Sequence, residues 1–568
     1  MDNNAIADVF DEVADILEIE EVEWKPRAYR NAALGIRNYS KPLSEVYKKD
    51  GIKGLKEIPG IGENIAKKIE EIILTGKLSY LEKIRREIPK VIVELMALQH
   101  VGPKTAKKIY DKFKIKSMED LKKLIKQGKL HELKGFGEKL EHEILEGIED
   151  KEKKGKRYML NEALPLAEEI KNEIMRQKGV SKALVAGSIA RMKENIGDID
   201  ILVEARKSEP IMDYVAKMKI VEKVLSKGET RSSIVLKNGI QVDVRIVPKE
   251  SFGSATQYFV GSKEHNVRMR QIAIKKGLKL SEYGLFKGGK AIAGAKEEEI
   301  YRKLGMEWIP FEMREERGEI EAAQKGKLPK LVELKDIKGD LHCHSTYSDG
   351  RATIAQLVKS AEEMGYEYIA IADHSEYNKI GEGISEKIRR EENKEIDKAN
   401  KNSNIRIIKG IEADIKKDGT IDMSKEMANE VDIVIASVHI GSDEKDATKR
   451  TLMAMDNPAV NIIAHPTGRI FEEGKEGTMD FEMISDKAKE RGIILEINAN
   501  PYRFDLNDVN AYAAMKKGIK MVIDTDAHDL SELECMKYGV GIARRAWCEK
   551  KDIINTMPWN KIEKIIRR

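Results

Sequence analysis

The sequence predicts a multidomain chain that joins an all-α amino-terminal half, a mixed α/β unit and a carboxy-terminal β/α barrel. Its 568 residues exceed the length at which one hydrophobic core keeps growing, so two or more domains are expected. Residues 1–155 read as short amphipathic helices between glycine-bearing turns. Beyond Gly339, apolar strings alternate with helical patterns, which indicates a parallel sheet or barrel.

The composition is typical of a soluble globular protein, with 41% hydrophobic and 35% charged residues. No apolar run reaches the ~20 residues that span a bilayer, and the chain opens on an acidic, helix-like stretch rather than a basic signal peptide. We therefore expect a cytoplasmic protein without a membrane partner. We also expect a monomer. The cysteines Cys343, Cys535 and Cys548 form no C-x-x-C pair, so a zinc site would need His and carboxylate ligands.

The helical half carries a basic excess and a repeated turn. Residues 51–160 hold 26 Lys and Arg against 18 Asp and Glu, a surplus of +8. This surplus favours a polyanionic partner, and a solvated helical surface is the alternative. Three strings place a glycine-rich turn before a helix: IPGIGENIAKKIEEI, LQHVGPKTAKKIY and LKGFGEKLEHEI. Such turns let backbone N–H groups at a helix start approach a phosphate.

These strings resemble the helix-hairpin-helix family of DNA-backbone binders. The resemblance implies phosphate contacts from turn glycines and a neighbouring lysine, namely Gly60, Gly62, Gly102, Lys104, Gly135 and Gly137. The stretch RAYRNAALGI, with the first of the three strings, also resembles the small lyase domain of family X DNA polymerases.

By that second resemblance, Lys68 takes the position of the Schiff-base lysine. A 5'-phosphate pocket would contain Lys25, Arg30 and Lys67. Asn64 and Tyr80 stand where the family has supporting lysines. The alternative is that Lys68 is a surface lysine that contacts phosphate.

From Ala183 the pattern changes to β-rich strings, with a helix-like stretch near residues 211–225. Asp198 and Asp200 lie at the start of an apolar strand, where residues i and i+2 face the same side. Asp243 supplies a third carboxylate from another strand. Two Mg²⁺ or Mn²⁺ ions held by three carboxylates can activate a primer 3'-hydroxyl and stabilise a nucleotide's phosphates during in-line transfer.

The wider pattern G-S-x(9)-D-x-D resembles the nucleotidyltransferase palm, and SATQYFVGSKEHNVRMR resembles the nucleotide-binding string of family X polymerases. By this resemblance, the triphosphate would be contacted by Ser188, Arg191, Gly261 and Ser262, beside Gly187. The sugar would be lined by Tyr258, Phe259 and Gly261. Asn266 would reach the edge of the base, and Arg270 would lie near the template. Gln241 stands where the family usually has an arginine, two residues before the third aspartate.

The part of the chain after residue 338 contains six of the ten histidines. Together with nearby acids they give nine candidate metal ligands: His342, His344, Asp349, His374, Glu412, His439, His465, Asp526 and His528. In each string the candidate falls at or just beyond the end of a predicted strand, where β/α barrels assemble active sites. Imidazole and carboxylate ligands suit Zn²⁺, Mn²⁺ or Fe²⁺ better than Ca²⁺. The sequence therefore predicts a multinuclear metal site.

The strings HCHSTYSDG, ADHS, GIEA, SVHI, AHP and TDAHD resemble the polymerase and histidinol phosphatase (PHP) family of metal-dependent phosphoesterases. The resemblance implies a barrel of PHP type, a cluster of three divalent metals and phosphoester hydrolysis. Arg469 and Arg503 are candidate phosphate contacts, with plain surface arginines as the alternative. For the barrel as a whole, the alternative is a purely structural role.

The resemblances cover the chain in order. They predict a lyase-like helical domain (1–85), a helix-hairpin-helix fingers domain (86–155), a palm (156–248), a thumb (249–317) and a PHP domain (339–568). Segment 318–338 is predicted to be a linker, because it is charged and carries Gly326 and Pro329. They imply a family X DNA polymerase that fills short gaps in base excision repair, with 3'-to-5' exonuclease or 3'-end processing activity, and abasic-site incision, in the barrel. The expected partners are gapped or recessed duplex DNA and deoxynucleoside triphosphates. The alternatives are a DNA-end binding protein with a structural barrel, and a nucleotidyltransferase that acts on a non-DNA acceptor.

Overall fold

The chain forms two compact units, Met1–Lys156 and Arg157–Arg568, in a computed structural model. The structure describes residues 3–20, 22–37, 39, 43–96, 103–127, 129–132, 157–439, 444–471, 477 and 479–566. Among the described helices, none is long and apolar enough to cross a membrane.

The first unit is built from helices in its described part, which confirms the all-α prediction. Apolar side chains at three- and four-residue spacing give each helix one buried face; in Glu63–Thr75 these are Ile65, Ala66, Ile69 and Ile72. The helices are Asn3–Ile19, Lys25–Arg37, Leu43–Lys56, Glu63–Thr75, Ser79–Glu87, Lys90–Met96, Pro103–Phe113 and Met118–Lys126.

The second unit begins with the palm, whose strands are β1 (Tyr158–Met159), β2 (Val180–Val185), β3 (Asn195–Ile196), β4 (Ile199–Ala205), β5 (Val221–Lys227), β6 (Arg231–Leu236) and β7 (Gln241–Val247). Five of them form a sheet of order β2-β4-β7-β6-β5, and β1 pairs with β3. The central pair β4 and β7 is parallel, whereas the other pairs are antiparallel. The palm helices are Leu160–Met175, Gly187–Ala190 and Glu209–Ala216.

The helix predicted near residues 211–225 is wrong in its second half. The helix ends at Ala216, and Val221–Lys227 forms the edge strand β5, antiparallel to β6. The β-branched residues Val221 and Val224 favour a strand once a neighbouring strand offers backbone pairing. That partner is a tertiary feature, which a local helical pattern does not reveal.

The thumb contains the helices Phe252–Val260, Lys263–Lys275 and Glu297–Leu304. Between the last two lies an antiparallel sheet of β8 (Lys279–Ser281), β9 (Gly284–Lys287) and β10 (Lys290–Ala293).

Segment 318–338 is the predicted charged linker. It contains the helix Glu319–Gln324, in which Glu319 is fully buried with its carboxylate 2.7 Å from Nδ1 of His265. The same carboxylate accepts hydrogen bonds from the backbone N–H groups of Glu316 and Arg317. A carboxylate with this many partners can be buried at low cost, so the charge of this segment does not keep all of it in solvent.

The barrel is a sheet of seven parallel strands in chain order: β11 (Gly339–Cys343), β12 (Tyr368–Ile371), β13 (Arg406–Asp414), β14 (Ile433–Ser437), β15 (Ile462–Ile463), β16 (Ile494–Asn498) and β17 (Met521–Asp524). The first and last strands meet, since Cys343 forms a parallel bridge with Ala527 and the N–H of Leu341 donates to Oδ1 of Asp524 at 2.8 Å. This nearly closed sheet confirms the predicted barrel. Its helices are Ile354–Glu363, Glu386–Ala399, Lys425–Ala428, Glu444–Ala454, Phe481–Arg491, Asp508–Lys517, Met536–Arg545 and Trp559–Ile566.

Candidate active sites

The structure brings the nine predicted ligands of the barrel together at the carboxyl ends of its strands. Eight of them form three groups in which one potential ligand atom per residue lies within 4.8 Å of the others. The groups are His344, Asp349, His374 and His528; His342, His344, Glu412 and Asp526; and His374, Glu412 and His439. Nε2 of the ninth, His465, lies 3.3 Å from Oε1 of Glu412.

Glu412 is the centre of this cluster and is fully buried on β13. Its Oε2 lies 2.7 Å from Nδ1 of His374 and 3.4 Å from Nε2 of His342. Its Oε1 lies 3.3 Å from Nε2 of both His439 and His465. Because its two oxygens face different imidazoles, one carboxylate can serve two neighbouring cations.

The cluster combines histidines whose pKa is lowered with histidines whose pKa is raised. Burial lowers the pKa of His344 to about 4 and that of His465 to about 3. Burial opposes the charge of Glu412, but the surrounding imidazolium groups, first that of His439, outweigh it and hold the pKa of Glu412 well below its usual range. Burial opposes the charge of His374 and His528, but nearby carboxylates outweigh it and raise the pKa of His374 to about 10 and that of His528 to about 9. Neutral imidazoles and ionised carboxylates are the forms that bind metals, so a cation that enters the cluster would displace these protons.

Two buried atoms of the donor set form no hydrogen bond within the described part of the chain, although oppositely charged groups lie near them. Nε2 of His342 and Oε2 of Glu412 are buried and form no hydrogen bond with any described residue. Buried polar atoms are nearly always satisfied, so a pair that is not requires an explanation. A divalent cation held by nitrogen and carboxylate ligands provides one, and Zn²⁺, Mn²⁺ and Fe²⁺ all accept such ligands.

Two residues that the sequence did not single out hold ligands of the cluster in place. Glu496 on β16 places Oε1 2.7 Å from Nδ1 of His342. The buried Arg389 donates from Nη2 to the carbonyls of Asp373 and His374, at 2.6 and 3.0 Å. Glu496 is a lone acid inside the apolar string LEINAN, a far weaker signal than the histidine-bearing strings of the ligands. Arg389 stands in a highly charged helix, where nothing in the sequence marks it as buried.

The two arginines proposed as phosphate contacts occupy different places. Nε of Arg503 lies 3.6 Å from Oδ2 of Asp526, at the metal cluster. Arg469 is only 5% exposed and donates from Nη1 to Glu194 of the palm at 2.8 Å. Neither interpretation of Arg469, as a phosphate contact or as a surface residue, is right, because the palm covers it.

In the palm, the three predicted carboxylates come together on neighbouring strands. Asp200 and Asp243 are register partners on the parallel strands β4 and β7, and Asp198 precedes β4 by one residue. Burial, then the charges of Asp198 and Asp243, raises the pKa of Asp200 to about 8. Such crowding of negative charge fits divalent cations, which would neutralise it.

The surroundings of these carboxylates are closely fitted. Gly187 has a φ of +64°, and a Cβ there would lie 2.3 Å from Oδ2 of Asp200, so only glycine fits this turn. Asp243 accepts hydrogen bonds from Arg231 at 3.1 Å and from Gln241 at 3.3 Å. Gln241 thus contacts the third carboxylate as a neutral amide, where the family's usual arginine would bring a charge.

Arg191, predicted to contact the triphosphate, is largely engaged within the protein. Nη1 donates to the carbonyls of Gly187 and Val260, at 3.1 and 2.7 Å, and Nε donates to Glu315 at 2.9 Å. Ser188 lies half-buried beside it on the helix Gly187–Ala190. The arginine therefore ties two turns of the predicted nucleotide site together.

The remaining predicted nucleotide contacts cluster at the junction of two thumb helices. Nδ2 of Asn266 donates to the carbonyls of Tyr258 and Gly261, at 2.6 and 3.1 Å. The Tyr258 and Phe259 rings pack edge to face at 5.0 Å, and exposed Arg270 lies 5.9 Å from the Tyr258 ring centroid. Oγ of Ser262 caps the second helix by accepting from the N–H of His265 at 3.1 Å.

In the helical unit, the first hairpin turn has the predicted form. Gly60 has a φ of +86°, and Gly62 immediately precedes the helix Glu63–Thr75. Exposed Lys67 lies on that helix, 3.5 Å from Glu63. Gly102, Gly135 and Gly137 lie outside the described residues, as does the side chain of Lys104.

The predicted 5'-phosphate and lyase residues have unlike surroundings. Lys25 is exposed at the start of the helix Lys25–Arg37. Arg30 forms ion pairs with three carboxylates of the first helix, those of Asp11, Asp15 and Glu18. Nζ of Lys68 lies 4.7 Å from the ring centroid of Tyr80.

Family models match the chain in four places. They are a helix-hairpin-helix domain at residues 1–78, a SAM-like helix-hairpin-helix tandem at 92–150, the DNA polymerase beta thumb at 255–315 and the PHP domain at 340–500.

Curated proteins match parts or nearly all of the chain. A probable phosphatase of Clostridium acetobutylicum is 28% identical over 215 residues, which cover 33% of this chain and 78% of the relative. DNA polymerase lambda of Rattus norvegicus is 23% identical over 335 residues, covering 54% of this chain and 55% of the relative. The DNA polymerase/3'-5' exonuclease PolX of Bacillus subtilis (strain 168) is 35% identical over 552 residues, covering 96% of this chain and 95% of the relative.

The alignment with the Bacillus subtilis protein runs through nearly the whole of both chains. This chain also matches the models of the polymerase beta thumb and of the PHP domain. The protein is therefore an enzyme, and it belongs to the family X DNA polymerases that carry a carboxy-terminal PHP domain.

Proposed function

We propose that the protein fills short gaps in duplex DNA during base excision repair and that its barrel shortens or cleans 3' ends as a metal-dependent 3'-to-5' exonuclease. The observation that carries the proposal is the presence of two separate centres in Arg157–Arg568, one of three aspartates and one of nine His and carboxylate residues. Two such centres in one compact unit serve two reactions on one substrate. The Bacillus subtilis relative is named for both a polymerase and a 3'-5' exonuclease.

At the polymerase centre, Asp198, Asp200 and Asp243 would hold two Mg²⁺ or Mn²⁺ ions, which supply the charge that stabilises in-line transfer. Arg231 would orient Asp243 through its hydrogen bond. A deoxynucleoside triphosphate would be bound by Gly187, Ser188, Arg191, Tyr258, Phe259, Gly261, Ser262 and Asn266, with Arg270 near the template.

At the barrel centre, the nine clustered residues would hold three divalent ions, with Zn²⁺, Mn²⁺ and Fe²⁺ as candidates. When bound, these ions provide Lewis acidity for phosphoester hydrolysis. Arg503, beside Asp526, would contact the phosphate of the 3' end. The same chemistry would permit incision at abasic sites.

In the helical unit, gapped or recessed duplex DNA would be contacted through its backbone by Lys25, Arg30, Gly60, Gly62, Lys67, Gly102, Lys104, Gly135 and Gly137. A further proposal for this unit is a Schiff base between Lys68 and an abasic sugar. Borohydride trapping of the wild type on an incised abasic substrate, with no trapping of Lys68→Ala, would support it. Equal trapping of both proteins would contradict it.

The function is tested with a 5'-labelled primer annealed at a one-nucleotide gap in the presence of Mn²⁺. Wild type should extend the primer when nucleotides are present and shorten it when they are absent. Asp243→Ala should lose extension alone, and His342→Ala should lose shortening alone.

The same experiment separates the alternatives. Extension without any shortening by the wild type would make the barrel structural. Failure to extend gapped DNA, with transfer to an RNA or small-molecule acceptor, would favour the non-DNA nucleotidyltransferase.

A further inference from the structure

A buried ion network joins the palm, the thumb and the barrel. Its centre is Glu315 of the thumb, whose Oε1 accepts from Nε of Arg191 at 2.9 Å and from Nη1 of Arg545 at 3.0 Å. Arg545 ends the barrel helix Met536–Arg545 and is 3% exposed. Its Nη2 lies 2.7 Å from Oδ2 of Asp508, which also pairs with Arg317 at 2.8 Å.

This network continues into the turns of the predicted nucleotide site. The carbonyl of Arg314, the residue before Glu315, accepts from the N–H of Ser262 at 3.1 Å. Arg191, on the other side of Glu315, donates to the carbonyl of Gly187. Any displacement of segment 314–315 would therefore move Ser262 and Arg191 together.

Arg545 holds that segment from the barrel side. Its Nη1 donates both to the carboxylate of Glu315 and to the backbone carbonyl of Arg191, the latter at 2.7 Å. A planar guanidinium can reach three acceptors in fixed directions, which an ammonium cannot. Without this cation, Glu315 would keep its ion pair with Arg191 and lose the one that holds it from the barrel side.

We infer that Arg545 of the PHP barrel is a positioning residue for nucleotide binding by the polymerase centre, because it fixes Glu315 and the backbone of Arg191. This inference rests on the proposed nucleotide site. The barrel then does more than process 3' ends, since it completes the support of the neighbouring centre.

Arg544 provides a matched control. It lies next to Arg545 on the same helix and also crosses to the thumb, donating to Glu312 at 2.7 Å and to the carbonyl of Val332 at 2.9 Å. Among the described residues, its hydrogen bonds reach neither Glu315 nor Arg191. Loss of Arg544 removes a barrel-to-thumb ion pair and leaves the nucleotide turns supported.

The test measures single-nucleotide incorporation into gapped DNA by the full chain. Arg545→Gln should raise the KM for the incoming nucleotide about tenfold, with kcat within about threefold of wild type, whereas Arg544→Gln should leave both near wild type. Primer shortening without nucleotides should be the same in all three proteins. A merely structural role would change shortening and incorporation together.

Equal nucleotide KM values for Arg545→Gln and the wild type would overturn the inference, as would an equal rise in Arg544→Gln. If Arg545→Gln does not fold, the isosteric Glu315→Gln decides, because it too must raise the nucleotide KM. Absence of incorporation by the wild type would instead overturn the proposed function, and the inference with it.

Discussion

Oε1 of Glu496 lies 2.7 Å from Nδ1 of His342 in the interior of the barrel. The other ring nitrogen, Nε2, is thereby directed toward Glu412 and Asp526, at 3.4 and 3.6 Å. A carboxylate behind a ligating histidine fixes its tautomer and ring orientation and raises its basicity. Glu496 therefore acts as a positioning residue for His342, although it is not among the nine candidate ligands.

Replacing Glu496 with glutamine should weaken Mn²⁺ binding at the barrel by about tenfold to a hundredfold, because His342 would lose a charged hydrogen-bond acceptor. Isothermal titration of metal-free protein with Mn²⁺ measures this change. Glu430→Gln, which removes a carboxylate that pairs with Arg390 on the barrel surface, is the control. Equal affinities of the two variants would contradict the assigned role.

The metal cluster could be predicted from sequence because its residues carry strong local signals. The string HCH places two imidazoles on one strand face, and the other candidates end strands that must meet in a closed sheet. Glu496 and Arg389 carry no comparable signal. Their role depends on which side chain lies behind a ligand, and this is fixed only when distant strands and helices pack.

Where the sequence interpretation failed, the reason is also tertiary. The interval after Ala216 becomes a strand because β6 lies beside it. Arg469, predicted to contact phosphate or to lie on the surface, is buried and donates a hydrogen bond to Glu194 of the palm. Such contacts join residues far apart in the chain, so local periodicity and composition do not contain them.

The turn before the helix Glu63–Thr75 contains two glycines, Gly60 and Gly62, that should tolerate alanine to different degrees. Gly60→Ala should destabilise the helical unit by about 1–3 kcal/mol, because alanine is strained at positive φ. In addition, a Cβ there would lie 2.8 Å from the carbonyl oxygen of Asn31. Gly62→Ala should change stability much less, since Gly62 has a φ of −89° and open space around its Cβ position. Thermal unfolding followed by circular dichroism compares the two variants, and equal losses would refute the argument.

Glu316 of the thumb makes the stability of the protein depend on pH. Burial, then the carboxylates of Glu319 and Glu321, raises the pKa of Glu316 to about 8 from an ordinary value of 4.5. Between these values the unfolded chain is ionised while the folded chain keeps the proton. The contribution of this group to the free energy of unfolding is therefore largest below pH 4.5 and falls as pH rises toward 8. Glu316→Gln should have little effect at pH 5 and stabilise by ~1–2 kcal/mol at pH 8.5, less than the full shift implies because the side chain is partly solvated.

Glu321 offers a control of opposite sign. Burial opposes its ionisation, but the hydrogen bonds from Arg268 and a backbone N–H, together with the charges of Arg268 and Lys325, outweigh burial and lower its pKa. Glu321→Gln should therefore reduce stability at pH 8.5 and have less effect near pH 4. Denaturant unfolding monitored at each pH would show the two variants moving in opposite directions, and a common direction would contradict both assignments.

Salt should weaken DNA binding steeply if the basic surplus of residues 51–160 lies along the phosphate backbone. Release of counterions gives a slope of about −0.9 for each phosphate neutralised in a plot of log binding constant against log salt concentration, so six contacts predict a slope of about −5.

Lys25→Gln should reduce the magnitude of the slope by about 1, because Lys25 is exposed. Arg37→Gln should leave it unchanged, because Arg37 is paired with Asp8 and Asp11 of the first helix and is not a proposed DNA contact. Fluorescence anisotropy with a gapped duplex between 50 and 300 mM KCl, roughly the range in which such slopes are resolved, measures all three proteins. A flat response of the wild type would remove the backbone-tracking role of the helical unit, and equal slopes for Lys25→Gln and the wild type would remove Lys25 from the contact surface.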